Sequence, residues 1–318
     1  MKREGDRQMR EIRSAVVTGP TGSLGQALCR LLLSKRIRVY AVCRPDSPRA
    51  ERLPVHPDLK IIRCDISELN LLPEKNGGEK ADAFFHLAWA GNDGDNRNNM
   101  QLQTQNIRYT LDACHAAGEL GCKVFVGSGS QAEYGRSAQP LTADTPCFPE
   151  IGYGMAKLCA GQMSRAECRI LGIDHIWTRI LSVYGPYEQS TSMTISTISK
   201  LLRGEEPEMT SGEQIWDYLY SGDAAEALYL LACSGRSGAV YPVGSGQARP
   251  LKEYAEMLRD AVNPALCLHF GAVPYSRNQI MFLKADIRDL TADTGFLPKT
   301  DFRDGIRRTV EWVKEAGL

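Results

Sequence analysis

Two residues of the chain have the types and the spacing of an acid–base pair. Tyr153 and Lys157 lie four residues apart in a segment with helical periodicity, so both side chains fall on one face of a helix. An ammonium group beside a phenol favours the phenolate, and we therefore expect Lys157 to lower the pKa of Tyr153 and make it usable for proton transfer. Ser130 ends a predicted strand, where its hydroxyl would hold the substrate oxygen that Tyr153 protonates or deprotonates.

A glycine-rich loop near the start of the chain is typical of dinucleotide binding. The loop TGPTGSLG spans residues 18–25, between a predicted strand and a predicted helix. Gly19 permits a tight turn, Gly22 lets the backbone approach a pyrophosphate, and Gly25 lets helix and strand pack closely. The phosphates would rest on N–H groups at the start of the helix. The predicted contacts in this loop are Gly19, Thr21, Gly22, Ser23, Leu24 and Gly25.

Residues after the second and third strands bear on which dinucleotide binds. An acid there accepts hydrogen bonds from a free ribose 2′-OH, whereas an arginine suits a 2′-phosphate. Arg44 follows the run VYAVC, with Arg49 nearby, so the sequence favours NADP over NAD, with NAD still possible. The alternative is that Arg44 is only a surface charge and Asp46 takes the part of the acid. Asp65, followed by Ile66, either lies at the adenine pocket or caps the helix of ISELNLL.

The elements that must position these residues alternate between strands and helices. Strands are predicted at 14–19, 37–43, 59–66, 81–90, 122–130 and 174–185, and helices at 23–35, 100–118, 152–170, 192–204, 250–262 and 301–317. Continuous apolar strands alternating with helices predict a doubly wound α/β fold with a parallel sheet. We expect a dinucleotide-binding Rossmann domain over 12–181, rejoined by 215–246. A smaller substrate-binding lobe would comprise 182–214 and 247–318.

Composition narrows the classes of partner. The chain has 318 residues, with 38 Lys+Arg and 38 Asp+Glu, and this balance gives no general attraction to nucleic acid or to an anionic membrane. None of its ten cysteines is paired as CxxC and no HExxH motif occurs, so no metal site is predicted. The charged leader at 1–13 lacks an apolar stretch and no run is long enough to span a bilayer. We therefore expect an exposed tail, free thiols and a cytoplasmic location.

Taken together, these segments resemble the extended short-chain dehydrogenases/reductases, in the NAD-dependent epimerase/dehydratase group that acts on nucleotide sugars. The resemblance covers nearly the whole chain and is carried by TGPTGSLG, CDI, HLAWAG, GSGSQAEYG, YGMAK, RILSVYGP, DYLYSGDAAEA and GFLPKTDFRDGIRRTVEW. It implies catalytic roles for Ser130, Tyr153 and Lys157, with Lys157 also bonding the nicotinamide ribose. It further implies that Leu87 and Ala88 pass beside the cofactor, and that the helices of 101–118 and 153–170 form a homodimer.

Departures from the group's patterns narrow the reaction. Dehydratases of the group resemble one another in a Thr-Asp-Glu run, whose positions here hold Ser130, Gln131 and Ala132. Without the acid pair, elimination of water lacks its acid and base. The GDP-fucose synthase type has a cysteine where this chain has Ala132. Hydride transfer at a sugar carbon remains, as in 4-epimerases and 4-ketoreductases. Gln131 is then a candidate substrate contact, and Glu133 is predicted to be a structural carboxylate.

Two further departures concern the substrate. Ser182 stands where the group often has an asparagine, and Trp216 where it often has an arginine that binds the substrate diphosphate; an indole cannot make the bidentate phosphate contacts of a guanidinium. The diphosphate is then held elsewhere, for instance by Arg203 or Arg277, or the substrate lacks one. Trp216 either stacks on a base or sugar or fills the lobe interface. The alternatives are thus a reductase of small carbonyl compounds and, in another class, a non-catalytic NAD(P)-binding regulator.

Overall fold

A computed structural model describes residues 9–277 and 279–318 of the chain. Its strands, in chain order, are β1 (Ser14–Thr18), β2 (Arg38–Cys43), β3 (Leu59–Arg63), β4 (Ala83–His86), β5 (Val124–Ser130), β6 (Asp174–Ile180), β7 (Ser182–Tyr184), β8 (Glu208–Met209), β9 (Ile215–Trp216), β10 (Tyr218–Tyr220), β11 (Ala239–Val243), β12 (Arg249–Pro250) and β13 (His269–Phe270). Seven of these strands form one parallel sheet in the order β11-β6-β5-β4-β1-β2-β3. The predicted doubly wound fold is confirmed.

Some of the helices cover both faces of this sheet, and others build a smaller lobe. The helices are α1 (Ser23–Ser34), α2 (Leu72–Lys75), α3 (Met100–Glu119), α4 (Gly152–Leu171), α5 (Met193–Leu202), α6 (Ser221–Ser234), α7 (Leu251–Val262), α8 (Arg288–Thr294) and α9 (Phe302–Ala316). Apolar side chains of α1 and α6 form one core with the sheet, and those of α3 form a second core on the opposite face. The carboxyl ends of the strands therefore remain as the open edge where ligands of such folds bind.

The segment predicted as one strand at 174–185 is divided in two. β6 belongs to the central sheet, whereas β7 leaves it and pairs in parallel with β10. The edge position beside β6 is filled instead by β11, a strand that the sequence patterns did not indicate. After β7 the chain enters a smaller lobe, whose core contains Tyr184 and apolar residues of α5, α7 and α9. The divided strand thus directs the chain from the sheet into the lobe.

The charged leader is partly anchored. Its residues 1–8 lie outside the described part of the chain. From residue 9 onward the prediction of an exposed tail is wrong, because Arg10 is partly buried and bound. Its Nε donates to Asp174 Oδ2 at 2.7 Å, and its two terminal nitrogens donate to the carbonyl oxygens of Ala232 and Gly235 at 3.1 and 2.9 Å.

The cysteines and helices carry two further findings. All ten cysteines are free and seven of them are buried, as expected for small apolar side chains. Within residues 9–277 and 279–318, no helix has the length and apolar character to cross a bilayer. Over the same residues, no three or more His, Cys, Asp or Glu side chains are grouped so as to hold a metal ion.

Candidate active site

Ser130 is held rigidly at the carboxyl end of β5. The strand ends in a short 3₁₀ turn, Gln131–Glu133, for which Ser130 is the capping residue. Its Oγ accepts a hydrogen bond from the Ala132 N–H at 3.2 Å, and its own N–H donates to Glu133 Oε1 at 2.8 Å. This reciprocal capping box fixes both the backbone and the hydroxyl at the open edge of the sheet.

Glu133 is a structural carboxylate, as the sequence indicates. The side chain is fully buried and forms an ion pair with Arg179, whose Nε lies 2.8 Å from Oε2. The Trp177 indole N–H donates to Oε1 at 3.0 Å. Because these groups and the Ser130 amide occupy the carboxylate, Glu133 cannot supply the acid that is missing at Gln131 and Ala132.

Tyr153 and Lys157 lie one turn apart on α4, but their electrostatics differ from the prediction. The Lys157 Nζ is 5.8 Å from the centroid of the Tyr153 ring and donates to the Ser128 carbonyl oxygen at 2.5 Å. Burial lowers the pKa of Lys157 to about 7. Burial also raises the pKa of Tyr153, with the hydrogen bond to Ser130 and the charge of Arg97 acting against it. The expectation that Lys157 lowers the pKa of Tyr153 is therefore wrong for this structure.

Arg97 is the cation closest to the tyrosine ring, and the sequence reasoning missed it. Its guanidinium carbon lies 4.7 Å from the Tyr153 ring centroid, within the range of a cation–π contact. Arg97 comes from the 3₁₀ turn Gly94–Asn98, between β4 and α3. A polar loop without apolar periodicity gives no signal that one of its side chains reaches the site, and only the tertiary fold reveals it.

Trp89 borders the cofactor cleft and contacts both Tyr153 and Lys157, and the sequence reasoning missed it as well. The Lys157 Nζ lies 3.8 Å from the centroid of its ring, and Tyr153 contacts it edge-on at 6.0 Å between ring centroids. Its indole N–H donates to Gln103 Oε1 at 2.8 Å, which fixes the plane of the ring. A ligand in the cleft that reaches Tyr153 must therefore lie against Trp89.

The glycine loop borders a cleft of about 790 Å³. Gly19 has φ +68°, and a Cβ there would lie 2.9 Å from the Ala88 amide nitrogen. A Cβ on Gly22 would meet nothing nearer than 3.9 Å, so this position is open. No side chain caps the N-terminus of α1, which leaves its amides for a phosphate. These features fit the pyrophosphate of a dinucleotide.

Most of the predicted cofactor contacts border this cleft. The residues that do are Gly19, Thr21, Gly22, Ser23, Arg44, Asp65, Ile66, Leu87 and Ala88, whereas Leu24, Gly25 and Lys157 do not. The buried Thr18 Oγ1 accepts the N–H groups of Leu87 and Ala88 at 3.1 and 3.2 Å, which ties that segment to the glycine loop. A Cβ on Gly25 would lie 2.2 Å from the Gly19 carbonyl oxygen. Gly25 therefore allows the helix to approach its own loop.

The far end of the cleft contains the residues relevant to cofactor choice. Arg44, Ser47 and Arg49 border it, whereas Asp46 does not, so Asp46 is poorly placed to take the part of the acid. Asp65 accepts hydrogen bonds from the N–H and the hydroxyl of Ser67, at 3.0 and 2.7 Å. Asp65 thus caps a short 3₁₀ helix, one of its two predicted roles, and it also borders the cleft.

A second cavity of about 410 Å³ lies in the smaller lobe and includes Trp216 in its wall. The Trp216 indole N–H donates to Ser182 Oγ at 2.7 Å, so the two departures from the group's pattern are bonded to one another. Trp216 also packs against a buried cluster that includes Tyr134 and Leu181. It therefore both borders a ligand cavity and fills the lobe interface.

The cation in the wall of this cavity is not one that the sequence indicated. Arg203 pairs with Glu205 at 2.7 Å on the surface and does not border the cavity, so the geometry of this cavity does not support its predicted role as a diphosphate ligand. Arg277 is exposed and does not border the cavity either. Lys200, on α5, does. Helical periodicity alone places Lys200 on α5 but does not reveal what that face contacts.

Two polar atoms near the sheet edge are buried without a hydrogen-bond partner in the described part of the chain. One is Gln131 Oε1, directly after the catalytic serine. The other is Glu188 Oε2, on the loop between β7 and α5. Glu188 borders the cofactor cleft, and burial raises its pKa to about 7. Buried polar atoms of this kind are commonly satisfied by a ligand or by ordered water.

Comparison with known proteins agrees with this geometry. A family model, the NAD dependent epimerase/dehydratase family, matches residues 15–244. The chain is 24% identical over 259 residues to a dTDP-glucose 4,6-dehydratase of Streptomyces niveus, covering 80% of this chain and 76% of the relative. Another such dehydratase, from an Actinoplanes strain, is matched over only 53% of its length.

Solved structures share the fold over nearly the whole chain. One is a UDP-N-acetylglucosamine 4-epimerase from Methanobrevibacter ruminantium in complex with UDP-N-acetylmuramic acid, with 25% identity, a TM-score of 0.86, and 96% and 99% of the two chains covered. Another is MoeE5 with UDP-glucuronic acid and NAD, with 26% identity, a TM-score of 0.82, and 95% and 99% covered. The chain belongs to the NAD-dependent epimerase/dehydratase family, and it is an enzyme of the extended short-chain dehydrogenase/reductase type.

Proposed function

We propose that the chain transfers hydride at a sugar carbon of a nucleotide sugar, as a 4-epimerase or a 4-ketoreductase. The observation that carries this proposal is the meeting of Ser130, Tyr153 and Lys157 at the sheet edge, in contact with Trp89, which borders a dinucleotide-sized cleft. When bound in that cleft, the nicotinamide supplies the hydride chemistry. The protein groups orient the sugar and move the proton.

Each catalytic side chain has one role in this mechanism. The fixed hydroxyl of Ser130 holds the reacting sugar oxygen through a hydrogen bond. The phenolate form of Tyr153 accepts the proton from that oxygen during oxidation, and the resulting phenol returns it during reduction. Lys157, held on the Ser128 carbonyl oxygen, contacts the nicotinamide ribose, and the charge that favours ionisation of Tyr153 comes from Arg97.

Dehydration is disfavoured by the side chains around Ser130. Gln131 carries no acid function, Ala132 is buried and apolar, and the Glu133 carboxylate is committed to Arg179. The relatives named as 4,6-dehydratases are distant, at 24% identity in the Streptomyces case. We therefore place this chain among the enzymes that move hydride without eliminating water.

We propose that NADP is preferred over NAD. Arg44 and Arg49 at the adenosine end of the cleft support this preference. A guanidinium forms strong charge-assisted hydrogen bonds to a 2′-phosphate and only weaker ones to a 2′-hydroxyl. The solved complex of MoeE5 contains NAD. The preference of this chain is therefore a property to be measured rather than transferred from its relatives.

We propose that the nucleotide of the substrate occupies the cavity of the smaller lobe. Trp216 offers a flat apolar face for a base or sugar, and Lys200 offers the positive charge for a diphosphate. Such a cavity also argues against the alternative of a small carbonyl substrate, which would leave it unused. In this proposal residues 12–181 and 215–246 form the cofactor-binding domain, from which Ser130, Tyr153 and Trp216 reach the substrate, and residues 182–214 and 247–318 form the substrate-binding lobe.

We also propose a homodimer through α3 and α4. The outer face of α4 exposes Met155, Cys159, Met163 and Ile170 at helical spacing, and Met100 is exposed at the start of α3. An apolar stripe of this kind is typical of a covered interface. Light scattering should give twice the chain mass of 35.1 kDa, and a mass of one chain at micromolar concentration would exclude the pairing.

Turnover assays on purified protein test the proposed function. NADPH and NADH are titrated first, and UDP-, dTDP-, GDP- and CDP-sugars are then screened for binding and conversion. Tyr153→Phe should reduce kcat by about 10²- to 10⁴-fold, because it removes the proton donor and acceptor while keeping the ring. Tyr229→Phe, a tyrosine on α6 that does not border the cleft, is the matched control. Unchanged turnover in Tyr153→Phe would refute the mechanism.

A further inference from the structure

We infer that Arg97 recognises a carboxylate on the sugar, so that the substrate is a nucleotide-linked sugar acid. This inference rests on the proposed function, since it names the class of sugar that the site beside Tyr153 accepts. It is carried by the position of Arg97 and by the hydrogen-bonding partner that one of its atoms lacks.

Arg97 combines a fixed position with an unmet donor. The guanidinium lies against the face of Tyr153, with its carbon 4.7 Å from the ring centroid. Its Nε is buried and has no hydrogen-bond partner within the described residues. Asp93 and Asp95 belong to the same loop, yet neither forms an ion pair with it, and both are exposed.

A buried guanidinium N–H without a partner is costly unless a ligand supplies an acceptor, and the Nε of the partly buried Arg97 is such a donor. The cost of burying an unpaired donor is largest for charged groups. A carboxylate offsets this cost best, because it brings both a negative charge and two acceptor oxygens. Among the described residues no carboxylate forms an ion pair with Arg97, and the buried Glu133 is paired with Arg179. The missing carboxylate is therefore expected on the substrate.

The sugar must present this carboxylate close to the reacting carbon, because Arg97 contacts the same ring whose hydroxyl exchanges the proton. A hexuronic acid, or a hexose with an acidic ether substituent, satisfies this requirement. Neutral hexoses offer only hydroxyl groups, which accept a weaker hydrogen bond from a guanidinium. Arg97 would thus select the acid over the matching neutral sugar.

Two nucleotide sugars that differ at one position test the inference. UDP-glucuronic acid and UDP-glucose have the same nucleotide and ring, and differ only in a carboxylate or a hydroxymethyl group. Binding of each is measured by calorimetry in the presence of the preferred cofactor, and turnover is measured in parallel. We expect the acid to bind at least 10-fold more tightly than the neutral sugar. Arg97→Met should remove most of this preference, and Arg97→Lys, which keeps the charge, should retain part of it.

The possible outcomes separate this inference from the proposed function. Equal binding of the two sugars, or a preference for the acid that survives in Arg97→Met, would overturn the role of Arg97. Absence of binding and turnover with every nucleotide sugar would instead overturn the proposed function. Arg108→Met, which removes an exposed arginine of α3, is the matched control and should leave the preference unchanged.

Discussion

The cofactor cleft and the lobe cavity lie on either side of the first turn of α5, since Ser192 borders one and Met193 the other. The glycine-loop end of the cleft is built from backbone: a glycine turn, an uncapped helix start and amides tied to Thr18. The lobe cavity is built mainly from side chains, among them Trp216 and Lys200. We therefore expect the glycine loop to tolerate few substitutions and the side chains of the lobe cavity to tolerate more.

This difference explains why the two regions can diverge independently. A Cβ at Gly19 would clash with the Ala88 backbone, so this position requires glycine whatever the substrate is. In the lobe, the pair formed by Trp216 and Ser182 satisfies its own hydrogen bond, and an arginine is therefore not required for the fold. Substrate specificity can change in the lobe while the cofactor end keeps its form.

Of the substitutions that compare these two regions, Arg44→Asp, at the adenosine end of the cleft, should have the largest effect. Arg44→Asp replaces a donor for a 2′-phosphate with an acceptor for a 2′-OH. We expect the NADPH/NADH ratio of kcat/KM to fall about 100-fold, because charge-assisted hydrogen bonds contribute about 1.5–3 kcal/mol each. Steady-state kinetics with both cofactors measures this ratio.

A suitable control for this substitution is Arg52→Asp, at the end of the neighbouring 3₁₀ turn, which does not border the cleft. It changes the surface charge equally and should leave the ratio in place. An unchanged NADPH/NADH ratio of kcat/KM in Arg44→Asp would show that Arg44 does not bind the 2′-phosphate of NADPH.

The same contrast governs how much the sequence could predict. Gly19, Gly22 and the alternation of strands and helices have local causes, namely a turn, an open backbone and a period, and their positions follow from the sequence. Arg97 and Trp89 reach the site only because loops after β4 fold back on α4. Such contacts depend on tertiary packing, and no local pattern encodes them.

The pKa of Tyr153 shows the same limit. Sequence spacing places Lys157 on its face of the helix, but the charge that one group exerts on another depends on burial and on competing partners. Here the Ser128 carbonyl holds the ammonium, and burial lowers the pKa of Lys157 itself. The spacing was right, and the electrostatic consequence drawn from it was wrong.

An intermediate effect is expected in the lobe cavity. Lys200→Met keeps the length and apolar stem of the side chain but removes its charge. If the diphosphate lies in this cavity, the KM for a nucleotide sugar should rise about 10-fold, with a smaller change in kcat, because the lost contact is remote from the reacting carbon. Kinetics at several ionic strengths should show a weaker salt dependence in the variant.

Lys252→Met provides the comparison within the same lobe, since the Lys252 ammonium lies over Phe270 and does not border the cavity. Its KM should match that of the natural chain. Equal KM values in all three proteins would mean that the diphosphate is held elsewhere or that the substrate has none.

The smallest effect should appear at Glu188, where the two regions meet. Its folded pKa of about 7 lies above the value of about 4.3 expected in the unfolded chain, with burial as the main cause and hydrogen bonds from Ser192 and the Gly185 backbone acting against it. Tyr218 interacts electrostatically with Glu188. Burial and the charge of Glu188 raise the pKa of Tyr218, so its phenol stays neutral at neutral pH and adds no charge beside the carboxylate. The free energy of unfolding should therefore fall as pH rises from about 4 to about 7, since ionisation is easier in the unfolded chain.

Glu188→Gln removes this dependence while keeping the shape of the side chain. We expect the variant to be more stable than the natural chain by about 1–2 kcal/mol at pH 8, a value reduced for the partial exposure of the side chain, and no more stable at pH 4. Urea denaturation at both pH values measures the difference, with Glu119→Gln, on the exposed end of α3, as the control. A stability difference that is the same at both pH values would assign Glu188 a packing role, and the meeting point of the two regions would then carry no titrating group.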